Sequence, residues 1–272
     1  MPLSQGRNPV DPKVQRSLNI FPYSNLFAIT GIIETNADTW KLFSPISNIQ
    51  SLPRPQITTA QTVWVASTSN NDDGAGAGAR IVLIGGLNSD YDIQEELIIM
   101  DGQTPVESQN EYIDIFEMTI FQTGTNTDSD TGDSMSDGDI YIARTSAEFT
   151  AGVPTNPLVG IKADENNLNS RDGLFTVPDG KILLIKSIFA GSSPDKTQNN
   201  NVQVQLCFRL FNDTQNLWYK TPPLEFDGSF QYVPEYNLPI PPKTQVQIRA
   251  RMPLAKTKNA MVEVNVELLD LR

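Results

Sequence analysis

Between Val202 and Leu210 every second residue is apolar: Val202, Val204, Leu206, Phe208 and Leu210 share one side, and Gln203, Gln205, Cys207 and Arg209 share the other. A two-residue period is the signature of a half-buried strand, because successive side chains leave a pleated backbone on opposite faces. The pattern returns at Val246, Ile248 and Ala250, and again at Val262, Val264, Val266 and Leu268. No segment keeps an apolar helical face for three turns, so the chain is predicted to be all-β.

Residues 80–102 form the clearest local unit of the first half. Two short β-branched segments, centred on Val82 and Leu97, flank Gly85, Gly86 and Asn88, a composition that predicts a hairpin. Residues 62–67, 112–123 and 139–144 read as further strands, with a change of phase near Phe116 and Glu117 that suggests a bulge. Short strands separated by Gly, Asn and Asp turns indicate a β-sandwich. In the second half, segments beginning at Gly173, Lys181, Asn201, Leu224, Thr244 and Ala260 repeat the pattern. A length of 272 residues favours two cores over one.

Charge divides the chain in the same way. Residues 51–150 hold three basic and seventeen acidic side chains, a balance of −14, whereas residues 151–272 balance at +1 and the first fifty at +1. We therefore expect two jelly-roll-like β-sandwich domains, at residues 56–150 and 151–272, with residues 150–157 as linker. Residues 1–55 are read as an extended N-terminal arm. Seven prolines divide this stretch, yet it is rich in Leu, Ile and Phe, so it needs a surface to lie on, its own domain or a neighbour's. Residues Gly6, Arg7, Asn8 and Pro9 are the predicted partner-binding turn, where the Arg7 guanidinium can hold a carboxylate with two parallel hydrogen bonds.

The sequence contains no histidine and one cysteine, Cys207. This removes Ser-His-Asp and Cys-His chemistry, imidazole metal ligation, and any disulfide within the chain. No catalytic set, cofactor or metal site is predicted, and Cys207 is read as an inert thiol. The Gly74, Gly76 and Gly78 run lacks the lysine and helix of a phosphate loop and reads as a turn. Five aspartates between 128 and 139 only partly match a calcium loop, with Asp133 where glycine belongs, and read as a solvated loop. Glycoside hydrolysis would need a carboxylate pair such as Glu95 and Asp114, and only the abundance of acids, not their spacing, points to one. Gln245, Gln247, Arg249 and Arg251 form a stripe that reads as a solvated face or a docking surface. Trp218 and Tyr219 either pack under a loop or stack on a sugar. The acidic middle region opposes binding to nucleic acid, and no apolar run is long enough for a helical membrane span.

The motif at Gln5-Gly6-Arg7-Asn8-Pro9 with Asp11, the Trp40 segment, the turn over 73–78 leading into Arg80, Gly86-Leu87-Asn88, Tyr91 and Glu95-Glu96, and residues 176–191 resemble a family of virion structural proteins from tailed bacteriophages, many of marine and cyanobacterial hosts. The similarity runs over most of the chain and rests on turn and strand residues. It implies a virion location, a homo-oligomer and other virion proteins as partners, at the head surface or the head-to-tail neck or collar. The acidic residues 128–139 depart from the family, whose loop there is neutral. The alternative is a host-surface glycan-binding module of a tail or fibre.

Overall fold

The computed structural model describes residues 24–35, 39–44, 49–50, 56–126, 135–163, 168–170, 172–192, 201–210, 217–226, 228–234, 238–251 and 258–271. In chain order the strands are β1 (Ser24–Thr35), β2 (Lys41–Leu42), β3 (Trp64–Ser67), β4 (Ala79–Leu87), β5 (Ile93–Ile99), β6 (Val106–Glu107), β7 (Asp114–Thr123), β8 (Ile140–Ala143), β9 (Phe149–Thr150) and β10 (Val153–Pro154). They continue with β11 (Val159–Ile161), β12 (Leu174–Thr176), β13 (Lys181–Ser192), β14 (Val202–Leu210), β15 (Tyr219–Lys220), β16 (Leu224–Phe226), β17 (Ser229–Tyr232), β18 (Leu238–Ile240), β19 (Thr244–Arg251) and β20 (Lys258–Asp270). The one helical element among the described residues is a three-residue 3-10 turn, Ser146–Glu148. The fold is all-β, as the alternation predicts.

Two sandwiches carry the two cores. In the first, the sheet β11-β8-β3-β6 faces the sheet β5-β4-β7, and Val65, Ile142 and Ile161 meet Val82, Ile84 and Met118 between them. In the second, β1-β20-β13-β17, with β18 also on β13, faces β12-β19-β14-β15, with β16 also on β14 and β2 on β19. Its core is built from the residues that set the period in the sequence, Val202, Val204 and Leu206 against Val262, Val264 and Val266. Each such side chain contributes about 1.5–3 kcal/mol relative to exposure, so alternation is enforced at every second position.

The order of the strands redraws the expected domain limits. β1 pairs along its whole length with β20, Ser24 opposite Leu269 and Thr35 opposite Lys258, and β2 pairs with β19. Much of the stretch read as an arm thus belongs to the second sandwich. Its prolines flank β1 and do not interrupt it, and Ile29, Gly31 and Ile33 alternate inward from residue 29. At the other limit β11 pairs with β8, so the chain is still in the first sandwich at Ile161, later than the division expected at 150. The first sandwich is therefore inserted between β2 and β12 of the second. The segment read as one strand from Leu224 is two: β16 lies in one sheet and β17 in the other, with the change of sheet made at Gly228, whose φ is +83°.

The hairpin expected at residues 80–102 is present as β4 and β5. Its turn is held by Asn88, whose side-chain oxygen accepts from the Asp90 and Asp92 amides at 2.9 and 3.0 Å. The bulge expected near Phe116 is also found, where the β4–β7 register slips between Gly85 and Gly86.

Candidate functional site

β5 pairs with β4 and forms an edge of its sheet among the described residues. Ile98 points into the core, while Ile93, Leu97 and Ile99 stand on the opposite face, 46, 49 and 64 % exposed. Phe121 of β7 adds a fourth large apolar side chain to this half of the molecule, 63 % exposed. A row of exposed apolar residues along a free edge is a ready template for another strand. The other side of β5 is tied down locally: the Glu96 carboxylate accepts from the Gln109 and Asn110 amides at 2.6 and 2.9 Å.

A row of charge crosses the same sheet. Gly85 pairs with Glu95 on one side and with Glu117 on the other, so two carboxylates flank a position that has no side chain. Burial raises the Glu117 pKa above its ordinary value, and the neighbouring Glu95 raises it further. Both line a cleft of about 500 Å³ between the sandwiches, closed on the far side by Ile29, Thr30 and Phe175.

The seam below that cleft is specific. Thr176 donates its hydroxyl to the buried Asp114 carboxylate at 2.5 Å, and the Phe116 and Phe175 rings meet at 5.0 Å with an interplanar angle of 58°. The β4–β5 turn docks too: the Asp179 amide donates to the Tyr91 carbonyl at 3.1 Å, and the Lys243 ammonium sits 4.9 Å from the Tyr91 ring while bonding Asp179 at 2.8 Å. Tyr91 takes a φ of +66°, unusual for a bulky residue, and is held there by this docking.

The structure separates the sequence candidates. Gly6, Arg7, Asn8 and Pro9 lie outside the described residues, as do Asp128, Asp130 and Asp133. Asp137 accepts from Ser69 and Asn71 at 2.5 and 3.1 Å, and Asp139 from the Ala163 amide at 3.0 Å, so both tie together loops that are distant in sequence. Glu95 and Asp114 do not form a pair: Glu95 is exposed, Asp114 is buried at the seam, and the carboxylate across from Glu95 is Glu117. The bulge at Phe116 causes this, by moving Glu117 onto the Glu95 row. Cys207 is fully buried, and burial raises its pKa against the opposing influence of Arg249 and Lys220. It is a free thiol, as expected, and the polar face of β14 that carries it is buried.

The stripe on β19 is not a solvated face. Gln245, Gln247 and Arg249 are all buried. The Arg209 and Arg249 guanidiniums lie 4.8 and 4.3 Å from the Trp218 ring, and Arg251 lies 5.0 Å from Trp40. Amide oxygens replace water at their edges: Gln245 serves Arg209 at 3.0 Å, and Gln247 serves Arg249 at 2.8 Å. Delocalised, weakly hydrated cations tolerate such a layer where ammonium groups would not. The sequence signal for it is Trp218, nine residues after Arg209, and Trp40, far from Arg251 in the chain, which only the fold brings onto the same layer.

No protein-family model and no curated protein matches the chain. Among solved structures it is similar to the tandem CBM22 domains of Paenibacillus barcinonensis Xyn10C, with 12 % identity over 88 % of this chain and 93 % of that one, TM-score 0.21. It is similar also to a structure of infectious bursal disease virus, Gx strain, with 10 % identity, covering 90 % and 76 %, TM-score 0.21. A Bacillus thuringiensis Cry1Da tryptic core variant gives 8 % identity and the same score, and there the likeness spans 94 % of this chain and 61 % of that one. At such scores none of these likenesses bears on activity.

Proposed function

We propose that this protein is a non-enzymatic structural component of a tailed-bacteriophage particle, self-associating and contacting other virion proteins at the head surface or the head-to-tail neck. The observation that carries this reading is the row of Ile93, Leu97 and Ile99 along a sheet edge that no described strand pairs, on the sandwich that holds most of the chain's excess acidity. An apolar edge of this kind is covered in an assembly, and the surrounding charge keeps the unassembled chain in solution. The family resemblance supports the virion location, and its motif residues have architectural work in the fold: Asn88 and Tyr91 shape the hairpin turn, and Glu96 ties down the loop at 109–110.

Cryo-electron microscopy of the intact particle tests the assignment, with density for two stacked β-sandwiches expected at the head or neck. Absence of the chain from purified particles would sink it. The glycan-binding alternative retains Tyr219, which is 67 % exposed, but the neighbouring Trp218 ring is already engaged by two guanidiniums. Specific glycan-array binding by the purified protein would favour that alternative.

A further inference from the structure

The outer face of β5 presents Ile93, Glu95, Leu97 and Ile99, an order of apolar, acidic, apolar, apolar. Residues 14–20 repeat it with the charge reversed: Val14, Arg16, Leu18 and Ile20 occupy alternate positions of a proline-free stretch that follows Pro12. Resting on the reading that the N-terminal residues join copies of the chain, we propose that residues 13–20 of a neighbouring copy add as a parallel strand to the edge of β5 that no described strand pairs. In that register Val14 lies beside Ile93, Arg16 beside Glu95, Leu18 beside Leu97 and Ile20 beside Ile99. The apolar pairs cover side chains that the single chain leaves about half exposed. The guanidinium enters beside the gap over Gly85, where Glu95 and Glu117 stand without a counter-charge between them on that row.

Charge selects this occupant over a second β5 edge. Residues 51–150 balance at −14, so two such sandwiches meeting edge to edge repel, whereas residues 1–23 carry Arg7, Lys13 and Arg16 against Asp11 alone. Connectivity selects a neighbouring copy over the same chain. Ser24 pairs with Leu269, Leu271 donates to Gly180, and Asp179 donates to Tyr91, which sets the start of β1 at the end of the molecule where β5 begins. β5 runs on from there for about 20 Å, at about 3.3 Å per residue. The four steps from Ile20 to Ser24 span at most about 14 Å, so a strand that places Ile20 at Ile99 cannot return to its own β1. Within one chain the edge is reached only in the antiparallel sense, which sets Pro12 against Ile99 and leaves Ile20 at the Tyr91 turn.

The test uses the full chain with Cys207→Ser, carrying Leu18→Cys with Leu97→Cys in one variant and Leu18→Cys with Ile93→Cys in another, each treated with a short bismaleimide. The first variant is expected to give dimers and larger multimers on denaturing gels, and the second far fewer. A cross-link within single chains in the second variant, or none in either, overturns the proposal. Removal of residues 1–23 separates the two levels: if the truncated chain self-associates like the parent, the arm reading itself fails. If truncation abolishes association yet neither variant cross-links, only the acceptor assignment fails. Arg16→Glu is expected to weaken self-association about tenfold or more, the scale of a like-charge contact in an interface, with recovery when Glu95→Arg is added. Loss without recovery excludes the Arg16–Glu95 pairing.

Discussion

Asp72 and Gly78 lie so close that a Cβ built on Gly78 would stand 2.0 Å from the Asp72 Oδ1. The carboxylate is fully buried and accepts four hydrogen bonds, from the Ala79, Asp137 and Gly138 amides at 2.6, 2.8 and 2.9 Å and from the Ser67 hydroxyl at 2.5 Å. It thus ties the 70–78 turn to the start of β4 and to the segment before β8. Asp72→Ala strands three amides at once, two of them buried, and is expected to cost about 3 kcal/mol or more in urea unfolding, with Asp72→Asn losing about half as much because its amide nitrogen cannot accept. A loss below about 1 kcal/mol for Asp72→Ala would show that water replaces the carboxylate and that the turn does not depend on it.

Glu117 gives a pH dependence of known sign. Burial and Glu95 hold its folded pKa above the ordinary 4.5, so the fold favours the protonated form. That contribution is full below 4.5, declines as pH rises and the unfolded chain ionises first, and is lost once the folded pKa is passed. Glu117→Gln, which stays neutral, is expected to melt higher than the parent at pH 7 and level with it below about pH 4. Because the Glu117 side chain is exposed at the mouth of the cleft, solvent screening keeps the gain small. Equal melting temperatures at pH 7 would mean that the cleft is too wet for the Glu95–Glu117 repulsion to count.

Cys207 is expected to be silent in the native protein. It is buried in the amide and guanidinium layer of β14 and β19, its sulfur 3.8 Å from the Gln205 Oε1, and burial keeps it a thiol. Ellman's reagent at pH 8 should find about no thiol in the folded chain and one in denaturant. Rapid native reaction would place Cys207 on an open face and undo the account of that layer.

How much of this was legible depends on whether a feature is carried by neighbours in sequence. The cores of β14, β19 and β20 were, because a two-residue period is local, and so was the hairpin turn at Asn88. The buried Arg249 and Arg209 were not: alternation tells that each lies on the polar face of its strand, but that Trp218, nine residues after Arg209, and Trp40, far off in the chain, cover that face comes only from the fold. β1 was missed for a different reason. Its apolar residues are clustered at Leu26 to Ile29 and at Ile32 and Ile33, without clean alternation, so only its pairing with β20 identifies it as a strand. Glu117 lay in plain view, and the bulge that put it opposite Glu95 was expected, but its consequence for the charge row needs the register of β4.

That displaced boundary decides how the arm must be tested. Removing residues 1–50 would take away β1 and β2, strip the β20 edge of its partner over twelve residue pairs, and leave Ile29 and Ile33 absent from the second core. Loss of assembly in such a variant would report a broken sandwich and say nothing about docking. Removing residues 1–23 spares every described strand and is expected to leave the β signal in circular dichroism and the melting temperature nearly unchanged while self-association, followed by light scattering, falls away. Within the shorter segment, Arg7→Ala should weaken association more than Lys13→Ala, because the planar guanidinium can grip a carboxylate with two hydrogen bonds and an ammonium acts as a point charge. In the parallel register Lys13 also falls on the face away from Glu95, which points to the same order. Equal effects of the two substitutions would remove the special role of residues 6–9, and undiminished association of the truncated chain would leave assembly to the two sandwiches alone.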